Sequence, residues 1–322
     1  MYENLLLTPK NKIEEWSNIV SEKIYEGKQI VVFYDTETTG GIRKGKGVSV
    51  IEKDNMQYEG KRHRILEIGA SVTVLNEESG QCEPLKDKSG DLVRFHEYLN
   101  IWAEEENQLK KINSMTEVPF GAYNVHGISE KFCNGEVVLG YDLKNINSDF
   151  KLNRVAPTMQ QVIDPLMKVT GLLHITKDKE LEKRVIFAAH NAEFDNKFMN
   201  SEFQIAGFSP FESYAATLCT LEMSRDIIPP PEVNKKYSLD SLYQYVLNKN
   251  FVENKPIPRE LHGAMVDTRI LLTMYNGLTN STWYKESPNT PLREKKITED
   301  IVDYLKNYQN RVIRRPLPKI NF

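Results

Sequence analysis

Three short segments, far apart in the chain, each join an apolar run to an acidic side chain. In the first, the β-branched and aromatic residues 31–34 lead directly into Asp35 and Glu37. Such a run predicts a buried strand, on which side chains two apart point to the same face. The two carboxylates would therefore lie side by side and raise each other's pKa unless a cation lies between them. Two solvated acids after a strand are the alternative for this pair taken alone.

The second segment, 189–195, ends in Asp195. Asn191 is a good N-cap residue, so a helix is predicted to begin there and to run to about residue 205. Asp195 then lies in the first turns, on the same stripe as Phe198 and Met199. A charge among aromatic residues is costly unless it is paired or ligates a metal. The alternative is a surface acid that the dipole at the start of the helix stabilises.

The third segment holds His262 and Asp267. Asp267 shares a helical stripe with Ile270 and Leu271, so it is expected to face the sheet. His262 lies about 140° away from it around an ideal helix, so the two cannot share a helical face. We therefore predict His262 in the preceding loop, freed by Gly263, from where it can reach the same pocket. An ordinary loop histidine is the alternative.

Taken together, the segments supply four carboxylates and one histidine: Asp35, Glu37, Asp195, Asp267 and His262. Carboxylate oxygens are the ligands that Mg²⁺ and Mn²⁺ prefer, and imidazole titrates near neutral pH. A site with two hard divalent cations and one titratable base is suited to the hydrolysis of phosphodiesters. The chain has no Gly-rich phosphate loop that ends in Gly-Lys-Ser or Gly-Lys-Thr, so a nucleotide-driven motor is not indicated.

The composition is typical of a globular protein, with 40% hydrophobic and 27% charged residues in a chain of 322. No apolar run approaches the roughly 18 residues that span a bilayer. Three widely spaced cysteines, Cys82, Cys133 and Cys219, form neither a disulfide framework nor a zinc-site pattern. We therefore expect no membrane association and a cytoplasmic location. The net charge of −3 argues against a protein that coats nucleic acid, but not against one that binds a few nucleotides.

Hydrophobic periodicity predicts strands interleaved with helices, after an initial run of sequential strands. Strands are expected at 29–34, 65–75, 92–99, 185–189 and 217–220. Helices are expected at 11–26, 159–173, 191–205, 220–226 and 264–278, with others beginning at Ser129 and Ser238 and a short one near 298–310. Residues 104–116 are helical in tendency, and 41–62 and 134–157 have the composition of insertions. The pattern indicates an α/β fold, a mixed sheet covered by helices.

The three acidic segments resemble the motifs of the DnaQ-like, DEDDh family of 3′–5′ exonucleases. Further matches lie between them in the expected order, at 64–70, 125–129 and 236–242. The resemblance covers roughly residues 28–280. It implies a ribonuclease-H-like fold with a central mixed five-stranded sheet flanked by helices. The exonuclease domain would then be 28–280, with an N-terminal helical extension, 1–27, and a polar, basic C-terminal extension, 281–322.

The same resemblance implies how the site is used. Two Mg²⁺ or Mn²⁺ ions would be held by the four carboxylates, Asp35, Glu37, Asp195 and Asp267, and His262 would be the general base. The terminal nucleotide would lie against four further residues: Thr38, Gly40, His126 and Asn191. The expected products are nucleoside 5′-monophosphates released from single-stranded or frayed 3′ ends. DNA is the favoured substrate, in proofreading or repair. The alternatives are an RNA 3′-end-trimming enzyme and a non-catalytic replisome or nucleic-acid-binding subunit.

The chain also departs from the family pattern. Gly41 stands where a bulky apolar residue often wedges against the terminal base, and Cys219 stands where Asp is frequent. The stretches 41–63 and 134–157 exceed the usual lengths. Residues 41–64 hold seven Lys or Arg against three acids, so we expect them to guide the substrate strand. The tail 281–322 is expected either to dock on a DNA polymerase or clamp or to be a disordered end.

Overall fold

A mixed β-sheet lies at the centre of the protein. The computed structural model describes residues 7–40, 57–58, 61–104, 114–115, 117–144, 149–175, 181, 184–228, 237–248, 257 and 262–280. Its strands are β1 (Ile30–Thr38), β2 (Gln57–Tyr58), β3 (Lys61–Arg62), β4 (Ile65–Leu75), β5 (Cys82–Pro84), β6 (Arg94–Tyr98), β7 (Val185–Ala189) and β8 (Ala216–Cys219). The central strand β1 pairs antiparallel with β4 and parallel with β7, which pairs parallel with β8. The predicted α/β class with a mixed sheet is confirmed.

The expected number of five strands needs a correction, because the sheet has six. The additional strand is β5, which pairs with the end of β4 around Val74, whereas β6 pairs with β4 from Glu67 to Ser71. Both lie on the same side of β4, so the sheet is five strands wide and two short strands share one edge. A three-residue strand that ends in Pro84 has too little alternation to be recognised in the sequence. The strands β2 and β3 form a separate hairpin.

The helices are α1 (Ile13–Tyr25), α2 (Phe120–His126), α3 (Glu130–Cys133), α4 (Met159–Val169), α5 (Leu172–Ile175), α6 (Ala192–Ile205), α7 (Thr220–Ile227), α8 (Leu239–Asn248) and α9 (Ala264–Asn280). Those predicted from periodicity are confirmed, although 159–173 is two helices separated at Gly171, where φ is +84°. Ser129 caps α3 by accepting the Phe132 N–H, as a helix start requires. Helix α2 was missed because it is only seven residues long and contains Gly121.

Alternation along β1 divides the core into two layers. Val32 and Tyr34 belong to the layer that includes Trp16 of α1, and Val31 and Phe33 belong to the layer formed with α9. Helix α1 therefore packs into the main core; its separation as an extension, 1–27, stays a prediction. Because side chains two apart share a face, Asp35 and Glu37 continue the row of Val31 and Phe33 on the α9 side.

Gly69 on β4 allows α9 to approach the sheet closely. A Cβ at this position would lie 2.5 Å from the backbone carbon of Ala264 and 2.5 Å from the nitrogen of Met265. Any side chain would push the first turn of α9 away from the sheet. Gly69 pairs with Asp35 across the two strands. The absence of a side chain therefore brings the first turn of α9, which carries Asp267, against the strand that carries Asp35.

A buried ion-pair network fixes α6 against the beginning of β4. The guanidinium of Arg64 donates from Nε to Glu202 of α6 at 2.7 Å and from Nη2 to Glu104 at 2.5 Å. Glu202 also accepts the backbone N–H of Ile65 at 3.1 Å. A buried charge without such partners would be strongly destabilising, so both carboxylates are needed. The network holds α6, which carries Asp195, in register with the sheet.

Several sequence predictions fall outside the described residues. They are most of the insertion 41–63, the tail 281–322 with its helix near 298–310, and most of 104–116. The stretch 134–157 is described except for 145–148; its described part carries only an isolated bridge, Val138 to Lys151, and packs Leu139 and Leu152 into a third core cluster. None of the helices in the described ranges is long and apolar enough to cross a membrane.

Candidate active site

Two carboxylates project from the carboxyl end of β1. Asp35 pairs with Gly69 and Glu37 with Glu67, and the register shifts between Glu37 and Thr38. This bulge ends the regular ladder directly after the second acid. Both side chains therefore emerge where the central strand leaves the sheet, the position at which α/β folds usually bind ligands.

Asp195 is buried in the first turn of α6, with 2% of its surface exposed. Its Oδ1 accepts two hydrogen bonds from Thr36 of β1, from the backbone N–H at 3.1 Å and from the hydroxyl at 2.8 Å. Burial raises the pKa of Asp195 to about 7, with Asp267 adding to the rise and the Thr36 hydrogen bonds opposing it. Thr36 thus orients the carboxylate while it remains easy to protonate.

Asp267 and His262 reach the same place from the beginning of α9. His262 lies in the loop before the helix, with its Nδ1 3.5 Å from Asp267 Oδ2. One ligand atom from each of Glu37, His262 and Asp267 lies within 4.8 Å of the other two. The His262 backbone N–H donates to the Val125 carbonyl at 3.0 Å, and 46% of its side chain is exposed. The loop position is therefore fixed while the imidazole is open to solvent.

Asp35 interacts electrostatically with the other three carboxylates. Burial raises its pKa well above the ordinary value, and Asp195, Asp267 and Glu37 add to the rise. Four negative charges in so small a space are unfavourable unless protons or cations neutralise them. The donor set consists of hard oxygen atoms, which fits Mg²⁺ or Mn²⁺. The structure thus brings together all five residues that the sequence singled out, and their ligand roles belong to the proposal below.

His126, at the end of α2, lies behind the turn that follows β1. Its Nδ1 accepts the backbone N–H of Ile128 at 3.0 Å, so the ring carries its proton on Nε2 and donates it to the Thr38 carbonyl at 3.1 Å. Burial lowers the pKa of His126 to about 4, and His262 adds to the effect. The ring is therefore neutral near pH 7 and both of its nitrogens bind backbone, so it positions Thr38 through the main chain.

The remaining predicted site residues surround the same turn. The Thr38 hydroxyl donates to the Gly40 carbonyl at 3.0 Å. A Cβ on Gly40 would lie 2.7 Å from the His63 ring, so a larger residue there would require the ring to move. Asn191 is exposed and adopts the left-handed conformation, with φ 67° and ψ 49°. Helix α6 begins directly after it, as predicted, but its side chain does not cap the helix because the left-handed conformation turns it away.

Sequence reasoning did not single out Glu67, a buried carboxylate that adjoins the site. It lies opposite Glu37 across β1 and β4, and its Oε1 is 2.8 Å from Nε2 of His96 on β6. Both partners are buried. The hydrogen bond to His96 gives the buried Glu67 side chain a polar partner. The available signal was a glutamate inside the apolar run of β4, which a buried strand tolerates only with a partner.

The central strand of the mixed sheet ends in two carboxylates, and two helices and a loop add two more carboxylates and a histidine. This is the arrangement that the resemblance to DnaQ-like nucleases led us to expect. No protein-family model matches the chain. Curated relatives do match: the chain is 28% identical to DNA polymerase III subunit epsilon of Rickettsia prowazekii over 251 residues, 77% of this chain and 73% of the relative. The identity to the subunit of the same name from Buchnera aphidicola is 25% over 291 residues, 89% of this chain and 88% of the relative.

Solved structures give a weaker likeness. Exonuclease I of E. coli, in complex with a dA16 oligonucleotide, has a TM-score of 0.41 at 12% identity, and the match covers 87% of this chain and 43% of that one. The chain therefore spans less than half the length of exonuclease I. The order of the motifs and the similarity to the epsilon subunits support a DnaQ-like 3′–5′ exonuclease.

Proposed function

We propose that the protein is a metal-dependent 3′–5′ exonuclease that hydrolyses phosphodiester bonds at nucleic-acid 3′ ends and releases nucleoside 5′-monophosphates. The observation that carries the proposal is the convergence of Asp35, Glu37, Asp195, Asp267 and His262 at the carboxyl end of β1. The relatives that share most of the chain are named as subunits of DNA polymerase III, which favours DNA as the substrate. An RNA 3′ end is the alternative that the experiment below distinguishes.

The four carboxylates are the residues that would hold two Mg²⁺ or Mn²⁺ ions. Such ions, when bound, lower the pKa of the attacking water and stabilise the leaving 3′ oxygen. The protein's own part is to hold the carboxylates in place, with Thr36 orienting Asp195 and Gly69 admitting the helix of Asp267. Because these groups are fixed before substrate arrives, little reorganisation is needed during the reaction.

His262 is the residue that would take the proton from the attacking water. Its ring lies beside Asp267, yet nearly half of it is exposed, so a proton can pass from the ring to solvent. Proton transfer by a positioned side chain typically contributes about 10²–10⁴-fold to the rate. His126 is unsuited to this task because both of its ring nitrogens are occupied by backbone groups.

The terminal nucleotide would lie against the turn after β1. Thr38 and Gly40 form the floor of this turn, and His126 holds the Thr38 carbonyl from behind. The exposed Asn191 stands at the beginning of α6, the helix that carries Asp195.

The tail 281–322 would bind a polymerase or clamp. Capture of that partner by the full chain, but not by a chain that ends at residue 309, is the expected result.

The experiment is digestion of a 3′-labelled single strand, a duplex with a mismatched 3′ end and an RNA strand, each with Mg²⁺ or Mn²⁺. The wild type is expected to degrade the DNA substrates to 5′-monophosphates, and Asp267→Asn to be as inactive as the wild type in EDTA. The matched control is Glu83→Gln, an exposed acid beside Val74, which pairs with Ile30 at the other end of β1. Unimpaired Asp267→Asn would refute the metal assignment, and faster loss of RNA would indicate the trimming alternative.

A further inference from the structure

Two exposed aromatic side chains, with the half-buried Tyr123 between them, lie in the segment whose helix contacts the candidate active site. Among the described residues, seven large hydrophobic side chains are exposed, and three of them lie between residues 120 and 141. Phe120 is 75% exposed and Tyr141 39% exposed. Exposed apolar side chains that are grouped in this way usually mark a binding surface, whereas single ones are ordinary. This group of side chains therefore indicates a binding surface.

The aromatic residues form a connected surface. Phe120 and Tyr123 are one turn apart on α2 and lie on the same side of the helix. The Tyr123 hydroxyl accepts the backbone N–H of Asp142 at 3.2 Å, which joins α2 to the loop that carries Tyr141. The ammonium of Lys131 lies 5.8 Å from the centre of the Tyr141 ring. We call Phe120, Tyr123, Lys131 and Tyr141 the α2 surface.

The α2 surface is continuous with the candidate active site through the end of its helix. The Val125 carbonyl accepts the backbone N–H of His262, and the His126 ring donates to the Thr38 carbonyl. The helix rises about 9 Å between Phe120 and His126. The surface therefore adjoins the loop of His262 and the turn after β1, and it extends from them by about 9 Å, a distance of nucleotide size.

We propose that the α2 surface binds the single-stranded nucleotides next to the terminal one, by stacking their bases on Phe120, Tyr123 and Tyr141. This rests on the proposed function, because a strand longer than one nucleotide must leave the site over a neighbouring surface. Aromatic side chains in series are the usual platform for single strands, since every base has a face that stacks. Lys131 supplies the positive charge that a phosphate backbone attracts. Such a surface selects frayed or single-stranded ends over paired ones.

The test compares the full-length wild type with Phe120→Ala/Tyr141→Ala. The control is Tyr25→Ala, a side chain that is 68% exposed at the end of α1. Tyr25 precedes the amino end of β1, whereas the site lies at the carboxyl end of this strand. The strand is about 26 Å long, so Tyr25 lies far from the site. Circular dichroism checks that each variant is folded. Because all three side chains are exposed, their removal leaves the core intact.

Two readouts separate this proposal from the proposed function. The first is the ratio of kcat/KM for a twelve-residue oligothymidylate to kcat/KM for the p-nitrophenyl ester of thymidine 5′-monophosphate, which reaches only the terminal position. The double variant is expected to lower this ratio about tenfold or more, by the usual contribution of one or two stacked bases. The control is expected to match the wild type. An unchanged ratio would overturn the proposal, as would an equal loss on both substrates.

The second readout is the fluorescence anisotropy of the same labelled oligonucleotide in Ca²⁺, which needs no turnover. The double variant is expected to bind about tenfold more weakly than the wild type and the control. If the wild type hydrolyses neither substrate, the proposed function fails, and the binding readout still decides the role of the α2 surface. Equal affinity of all three proteins would refute that role and would leave the surface to a protein partner.

Discussion

Burial of His126 is expected to make the free energy of unfolding depend on pH, by an amount that follows from the pKa of the ring. The pKa of its ring is lowered to about 4 in the folded protein, against an ordinary value of 6.5. The folded state therefore disfavours the protonated ring, and stability that is present above pH 6.5 is lost as the pH falls towards 4. One pKa unit corresponds to about 1.4 kcal/mol, so the full loss is about 3 kcal/mol. About 2 kcal/mol of it is already lost at pH 5.0.

The perturbation that isolates this effect is His126→Asn. The wild type also contains His190, whose pKa is lowered by burial to about 4, and acids whose pKa is raised. These groups change the stability of both proteins alike, so the difference between them reports His126. The variant is less stable at pH 7.5, because it loses the bond to Thr38, but it is expected to lose about 2 kcal/mol less than the wild type between pH 7.5 and 5.0.

The assay is urea unfolding of both proteins at pH 7.5 and 5.0, in EDTA so that no cation binds the carboxylates. The measured quantity is the free energy of unfolding, extrapolated to water. Equal pH dependence of the two proteins would contradict the reasoning, because it would mean that the His126 ring titrates in the folded state as it does in water. His126 would then be accessible to protons, and it could no longer be assigned as a neutral ring that holds Thr38.

Two further predictions concern the carboxylates. A cation binds the ionised form of Asp195, whose pKa is about 7, so the dissociation constant for Mn²⁺ is expected to rise about tenfold between pH 8 and pH 6. Calorimetry in two buffers measures the protons that Mn²⁺ binding releases, and the absence of proton release at pH 7 would contradict the prediction. Gly69→Ala is expected to cost about 1–3 kcal/mol by overpacking against Ala264 and to lower activity about 10²-fold by displacing Asp267. Gly263→Ala, whose Cβ would meet Glu67 at an ordinary 3.8 Å, is the control for stability, and equal stabilities would refute the packing argument.

Helices and strands could be predicted from the sequence where a long local pattern of hydrophobic residues marks them. The strand Ile65–Leu75 and the helix that carries Asp267 were predicted within two residues, because each has a long alternating or helical pattern. The pairing of Glu67 with His96 was not predictable in the same way. It depends on the register of β6 against β4, which tertiary packing sets and which no local pattern contains. The predicted cap by Asn191 failed for a related reason, since a left-handed residue was needed to turn the chain into α6.

Helix α2, which was not predicted from the sequence, fixes the position of two parts of the site. Its last two residues bind main-chain groups of two segments of the site: the Val125 carbonyl accepts the N–H of His262, and the His126 ring donates to the carbonyl of Thr38. The distance between the proposed base and the turn that would hold the terminal nucleotide is therefore set by one short helix. A displacement of α2 would move both groups together, so a strand bound along its exposed aromatic face and the groups that would cleave it keep a fixed relation to each other.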